Sequence, residues 1–338
     1  MKLGVLDVGA HTVHLMVDVG DEVMTETRSV KKPVRLAARL DARGRLDAAG
    51  VELLSRAVNA CLCEALRLGV TTLLAYATAF IRHVANGEDV VEAVRSRTGV
   101  RLIALPRASK VELAFLAARR WLGRQAGPLA VVDLGAHALE VGFGTGDSAT
   151  MAEAFPLGAA RLTREILGEG AATPEQVQAV RDRAHAVFGE AAAGLRAAEP
   201  QTIVGSSRML EQLTRFCGAD SAQGRSGAAP VLTREDLSQR LHELLSVPAG
   251  KRARLPGIST ARSHQAAAGG IVAHCIMEMA EIGRLTTCPW AVREGVVLHH
   301  LERPPLTAAG RVPYGVLVRG RKGRWLASPP SGGADAAH

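Results

Sequence analysis

A chain of 338 residues, 47% of them apolar, is long enough for two domains with a sizeable core. No run approaches the roughly 20 apolar residues of a membrane span, and the opening "MKLGVLDVG" is too short for a signal-peptide core, so a cytoplasmic protein is expected. The net charge of +8 suits a polyanionic partner, whereas aromatics at 3% disfavour nucleic acid, whose single strands stack on aromatic rings.

In chain order, "KLGVLDVG" and "HTVHLMVDVG" predict two strands around a tight turn at Gly9-Ala10-His11. "MTETRSVKKPVRLAARL" continues as strand and then loop. "AAGVELLSRAVNACLCEALRLG" carries apolar residues at helical spacing and stops on Gly69. "VTTLLAYAT" predicts a buried strand, "NGEDVVEAVRSRTG" a helix, "VRLIAL" a short strand and "SKVELAFLAARRWLG" a helix ending on Gly123.

The pattern then restarts. "PLAVVDLGAHALEVGFGTG" is again strand, turn, strand, and "ATMAEAFPLGAARLTREIL" adds a strand and the start of a helix. Thr173-Pro174, a cap residue with Pro at the first helical position, opens a long helix. "QTIVGSSRMLEQLTRFCG" predicts strand, Gly-Ser-Ser turn and helix, and residues 218–232 predict a loop. "REDLSQRLHELLS", "SHQAAAGGIVAHCIMEMAEIG" and "WAVREGVVLHHLE" predict helices, and 303–338, rich in Pro, Gly, Ala and Arg, predicts a disordered tail. The five cysteines form no C-x-x-C pair and read as reduced, mostly buried thiols. No His/Cys set has zinc-site spacing, His264, His274 and His299-His300 included.

This duplicated α/β layout puts an expected ligand in a cleft between two lobes, 1–123 and 124–302. Both halves open on one frame, Asp-x-Gly-Ala-His, at Asp7–His11 and Asp133–His137. A tight Gly turn between strands exposes backbone N–H groups that grip phosphate. An Asp at the strand end can hold a divalent cation or its water.

The chain resembles the Ppx/GppA family of exopolyphosphatases and guanosine pentaphosphate phosphohydrolases. That family's first phosphate loop reads D-x-G-S-N-[ST], here Asp7-Val8-Gly9-Ala10-His11-Thr12. Its second reads D-[IL]-G-G-G-S-x-E, here Asp133-Leu134-Gly135-Ala136-His137-Ala138-Leu139-Glu140. "ATAFIRHVAN", with Arg82 and Asn86, "PLGAARLT", the "VGSS" turn with Gly205 and Ser206, "RSHQAAAGG" and "CPWAVREG" match further, so the resemblance runs from residue 1 to about 302. It implies a duplicated ribonuclease-H-like fold of the actin-like ATPase, sugar kinase and Hsp70 type. It also implies Mg²⁺ or Mn²⁺ held by Asp7, Asp133 and Glu140. Phosphate would be bound at Gly9, Ala10, His11, Thr12, Arg82, Gly135, Ala136, His137, Gly205 and Ser206. The implied substrates are inorganic polyphosphate or guanosine penta- and tetraphosphate, and the implied assembly is a homodimer or a hetero-oligomer with a paralogue.

The departures fall where ligand chemistry is expected. The family's catalytic base is the last Glu of a G-E-[DE]-E-[AS]-R segment, and here Lys110 stands in its place. A charged Lys offers no acceptor for the proton of an attacking water. Glu112, two residues on, turns to another helix face, which leaves Glu140 as the stand-in base. Ala10, Ala79 and Ala138 delete hydroxyls, and Ala136 and His137 add side chains where backbone must approach phosphate. Two readings stand: a phosphohydrolase acting on terminal phosphoryl groups with weakened catalysis, or a non-catalytic polyphosphate- or alarmone-binding protein. In both, Lys110, His11 and His137 make the site more cationic, with imidazole charge adding pH dependence.

Overall fold

The computed structural model describes residues 1–20, 24, 27–78, 80–123, 126–218, 229–302, 314–320 and 325–327. The chain divides into two compact units, Met1–Lys110 with Val296–His338, and Val111–Gly295.

The first unit holds a six-stranded sheet in the order β12-β11-β4-β1-β2-β3. Its strands are β1 (Leu3–Val8), β2 (Thr12–Asp18), β3 (Thr27–Pro33), β4 (Thr72–Ala77), β11 (Gly315–Arg319) and β12 (Trp325–Ala327). β1 pairs antiparallel with β2 and parallel with β4. The alternation of Val13, Leu15 and Val17 lays one face of β2 into a core shared with Leu54, Val58 and Leu62 of helix α1 (Ala48–Arg67). The Asp47 side chain caps α1, accepting from Gly50 N at 2.5 Å. Helices α2 (Phe80–His83) and α3 (Gly87–Thr98) follow β4, and α4 (Arg107–Leu122) begins in this unit.

The second unit repeats the plan. Its sheet runs β7-β6-β5-β8-β10-β9, built from β5 (Leu129–Leu134), β6 (Leu139–Gly144), β7 (Met151–Phe155), β8 (Thr202–Gly205), β9 (Val231–Thr233) and β10 (Arg284–Thr287). β5 pairs antiparallel with β6 and parallel with β8, as β1 does with β2 and β4. A one-turn helix α5 (Ala159–Leu162) runs into a π turn over Thr163–Leu167. Helix α6 (Pro174–Ala197) carries a full capping box, with Thr173 and Gln176 each bonding the other's backbone N–H. Helices α7 (Arg208–Phe216), α8 (Arg234–Ser246), α9 (Ala266–Met279) and α10 (Val292–Glu302) complete the unit, with α10 continuing into the first. α9 is buried almost all round, as its unbroken small and apolar sequence requires.

Several expectations are corrected. The division falls inside α4 and α10 rather than at 123 and 302. From Val111 on, α4 packs on the second sheet: a Cβ on Gly142 of β6 would stand 3.0 Å from Val111 and 3.7 Å from Phe115. "VRLIAL" makes an isolated bridge, Ala77 to Ala104, instead of a strand. Part of the expected disordered tail is strand, because β11 pairs antiparallel with β4 and β12 with β11; the rest of 303–338 lies outside the described residues. β9 occupies the end of the expected 218–232 loop, and β10 went unforeseen.

No described helix is long and apolar enough to cross a membrane. Among the cysteines, Cys61, Cys275 and Cys288 are buried, Cys217 is partly so and Cys63 is exposed. Burial pushes the Cys61 thiol up to about 11 and those of Cys217 and Cys288 to about 12.

Candidate functional site

The two hairpins share their geometry. In the first, Gly9 N donates to Thr12 O at 3.0 Å; in the second, Gly135 N donates to Ala138 O at 2.9 Å. Each closes the turn directly after a strand whose penultimate residue is the aspartate, Asp7 or Asp133. Both aspartates are half-buried, and His11 and His137 at the turn tips are exposed.

Other backbone holds the loop carbonyls inward. Leu36 N donates to Ala10 O at 2.7 Å, and Val34 N and Arg35 N donate to His11 O at 2.8 and 3.2 Å. In the second hairpin, Ala159 N donates to Gly135 O and Arg161 N to Ala136 O, both at 3.0 Å. That approach is so close that a Cβ on Gly158 would stand 2.1 Å from the His137 carbonyl carbon, so this position admits only glycine. With these carbonyls and the N–H groups of Gly9 and Gly135 engaged, the N–H groups of the turn tips are the backbone polarity left to meet an anion.

Register decides what stands beside each aspartate. Asp133 is directly opposite Glu140 on β6, whereas Asp7 is opposite His14 on β2. Directly opposed residues put their Cβ atoms about 4.5–5.5 Å apart, so Asp133 and Glu140 form a carboxylate pair on one sheet face. Glu140 is 7% exposed. Among the described residues no group of three or more His, Cys, Asp or Glu is placed to hold a metal. Two adjacent carboxylates nonetheless suit Mg²⁺, which keeps waters and takes ligands from bound phosphate.

β8 delivers Gly205 and Ser206 to the same end of the second sheet, with Ser206 N donating to Val132 O at 3.0 Å. Ser207 caps α7 through its hydroxyl, accepting from Leu210 N at 3.1 Å. The Ser206 hydroxyl is buried and has no hydrogen-bond partner among the described residues. Sequence reasoning did not single out Arg262. Burial lowers the pKa of its guanidinium, the Asp133 carboxylate opposes that shift and Arg208 adds to it, so a cation stands near Asp133. Its only signal was membership of "RSHQAAAGG", with nothing local to tie it to a residue so far back in the chain.

Arg82 and Lys110 sit on other elements of the first unit. Arg82 donates to Leu105 O from α2, and burial, with Arg107 nearby, pushes its pKa down. Arg107 stands one turn before Lys110 on α4, so these three residues concentrate positive charge there. Lys110 is half-buried in the first turn of α4, its N–H bonded to Pro106 O at 3.0 Å. Glu112, at 3% exposed, is sealed from water. Asn86 serves the scaffold, accepting from Leu46 N at 2.9 Å and donating to Leu46 O at 3.2 Å. Ala79 lies outside the described residues.

The comparisons with known proteins agree with this architecture. The model of the Ppx/GppA phosphatase family matches residues 15–304. An uncharacterised protein of Streptomyces coelicolor is 41% identical over 308 residues, covering 90% of this chain and 92% of its own. Exopolyphosphatase 1 of Mycobacterium tuberculosis is 36% identical over 305 residues, 89% of each chain. In fold, the chain is similar to the Ppx/GppA family member of Aquifex aeolicus, with a TM-score of 0.76 at 21% identity over 90% of this chain and 98% of that one. It is also similar to an exopolyphosphatase from Cytophaga hutchinsonii, at 0.78 and 14% over 90% and 99%. The two mixed sheets with their helices are thus the duplicated actin-like, ribonuclease-H-like fold, and the chain belongs to the Ppx/GppA phosphatase family.

Proposed function

We propose that this chain binds the terminal phosphates of inorganic polyphosphate or guanosine pentaphosphate at its Asp-Gly hairpins and hydrolyses them far more slowly than its family's chemistry allows. The reading rests on one observation above all. The hairpins keep the backbone closure and aspartates that phosphate binding needs, while Lys110 stands where the resemblance puts the base.

Phosphoryl transfer depends mostly on positioning and charge neutralisation, which this scaffold retains. The turn tips at Ala10-His11 and Ala136-His137 present backbone N–H groups, and Ser206 supplies a hydroxyl with no other partner among the described residues. Arg262 brings positive charge to the second hairpin and Arg82 to the first unit. Mg²⁺ or Mn²⁺ held by Asp133 and Glu140 would supply neutralisation of the developing phosphate charge. Asp7 is the matching carboxylate of the first hairpin. What the chain lacks is a carboxylate at the position that the resemblance gives the base, a contribution of about 10²- to 10⁴-fold.

Glu140 accounts for the residual rate in this reading. Its carboxylate, directly across from Asp133, is the stand-in base that would leave slow hydrolysis. Titration of the full chain with polyphosphate and with guanosine pentaphosphate, with and without Mg²⁺, tests the proposal. Binding of at least one, strengthened by Mg²⁺, is expected; absence of binding to both refutes it.

A further inference from the structure

The first hairpin is flanked by a basic segment that no phosphate-loop assignment covers. From Thr27 to Arg39 the chain carries Arg28, Lys31, Lys32, Arg35 and Arg39 and no acidic residue. These cations do not all face one way. Lys32 lies on the α1 side of the sheet, where its charge acts on Cys61, and Arg39 leans toward Asp47 at 3.9 Å. Arg28, opposite Val17 of the same core, shares the face of Lys32. Lys31 and Arg35 remain: both are exposed, and no carboxylate pairs with either among the described residues.

Two features tie them to the hairpin. Lys31 is opposite His14, and His14 is opposite Asp7, so the three form one row across β3, β2 and β1 on a single sheet face. The His14 Nε2 stands 2.6 Å from the hydroxyl of Ser29, on β3 next along that face. Arg35 comes nearer still, since its own N–H binds the carbonyl of His11 in the turn. Its backbone is left-handed, φ 44° and ψ 48°, a conformation that residues other than Gly rarely adopt. Pro33 pairs with Thr12 at the end of the loop, and Lys31 stands two strand residues, roughly 7 Å, before it. Cations are therefore set on either side of the point where β3 meets the loop.

We propose that Lys31 and Arg35 take the following phosphates of a linear inorganic polyphosphate whose end is held at the Gly9–Thr12 loop. This rests on the function proposed above and narrows its substrate class. A guanine base would need a stacking or edge-binding partner, and Thr27–Arg39 contains no aromatic residue. A repeating phosphate chain needs only spaced cations.

The test is equilibrium binding of long-chain polyphosphate, tripolyphosphate and guanosine pentaphosphate across a salt series. Wild type is compared with Lys31→Gln/Arg35→Asn, Asn being chosen because it tolerates the left-handed backbone. Losing two phosphate contacts is expected to weaken long-chain binding by about 10-fold or more and to reduce the slope of log affinity against log salt by about 1.4. Tripolyphosphate, held mainly at the loop, is expected to change less than about twofold. An unchanged long-chain affinity overturns the proposal, as does an equal loss for tripolyphosphate. An equal loss for guanosine pentaphosphate reassigns the cations to a nucleotide. Wild type that binds none of the three ligands sinks the function proposed above, and this inference with it. Lys31→Gln alone, at an exposed strand position, repeats the comparison if the double variant misfolds, with a slope change of about 0.7.

Discussion

The two hairpins form a natural pair of experiments within one molecule. Strand order, pairing direction and the hydrogen bond closing the turn are the same in both, while the residue opposite the aspartate is His14 in one and Glu140 in the other. The segment gripping the loop carbonyls also differs: a left-handed Arg35 in the first, the close approach at Gly158 in the second. Backbone geometry has thus been kept twice over, and the side chains that give each hairpin its chemistry have diverged. A turn constrained by its own hydrogen bonds tolerates new side chains at its tip far better than it tolerates new backbone.

The largest test of that contrast lies outside the hairpins. Lys110→Glu places a carboxylate where the resemblance puts the family's base, and phosphate release from polyphosphate is expected to rise by about 10²- to 10⁴-fold. No gain would mean that the rewritten loops, rather than Lys110, limit the chemistry.

Metal binding separates the hairpins more finely. Glu140→Gln removes half of a carboxylate pair, so Mn²⁺ affinity, read by calorimetry, is expected to fall by about 10-fold or more. His14→Gln leaves both carboxylates of that pair in place and is expected to change it less than about threefold. Equal effects would contradict the assignment of the metal to the Asp133–Glu140 pair.

The smallest effects concern the loop supports. Gly158→Ala drives a Cβ into the His137 backbone and is expected to cost about 1–3 kcal/mol in thermal denaturation. Arg35→Gly, which relieves a left-handed side-chain clash while adding chain entropy, is expected to stay within about 1 kcal/mol of wild type.

Much of this was legible in the sequence, for physical reasons that vary along the chain. Apolar runs on either side of the Asp-Gly turns marked β1, β2, β5 and β6, and the Thr173-Pro174 cap fixed the start of α6, because each signal is local. β9 and β10 escaped notice because strands of three and four residues carry too little periodicity. β11 and β12 sit in Gly- and Arg-rich sequence and are recognisable only through the pairing of β11 with β4. The Asp-Gly frames gave away the hairpins, but not the His14–Asp7 and Glu140–Asp133 registers that distinguish them. Arg262 illustrates the same limit, since its nearness to Asp133 exists only in the folded chain. Asn86 shows the converse: a residue matching a family motif serves the backbone of Leu46.

In the proposed function, phosphate binding is kept while the carboxylate base is replaced by Lys110. That reading is tested most directly by measuring phosphate release from polyphosphate and guanosine pentaphosphate with Mg²⁺ or Mn²⁺, on wild-type protein shown to bind them. Release at least about 10²-fold below that of an ordinary family member assayed alongside is expected. A comparable rate would contradict it.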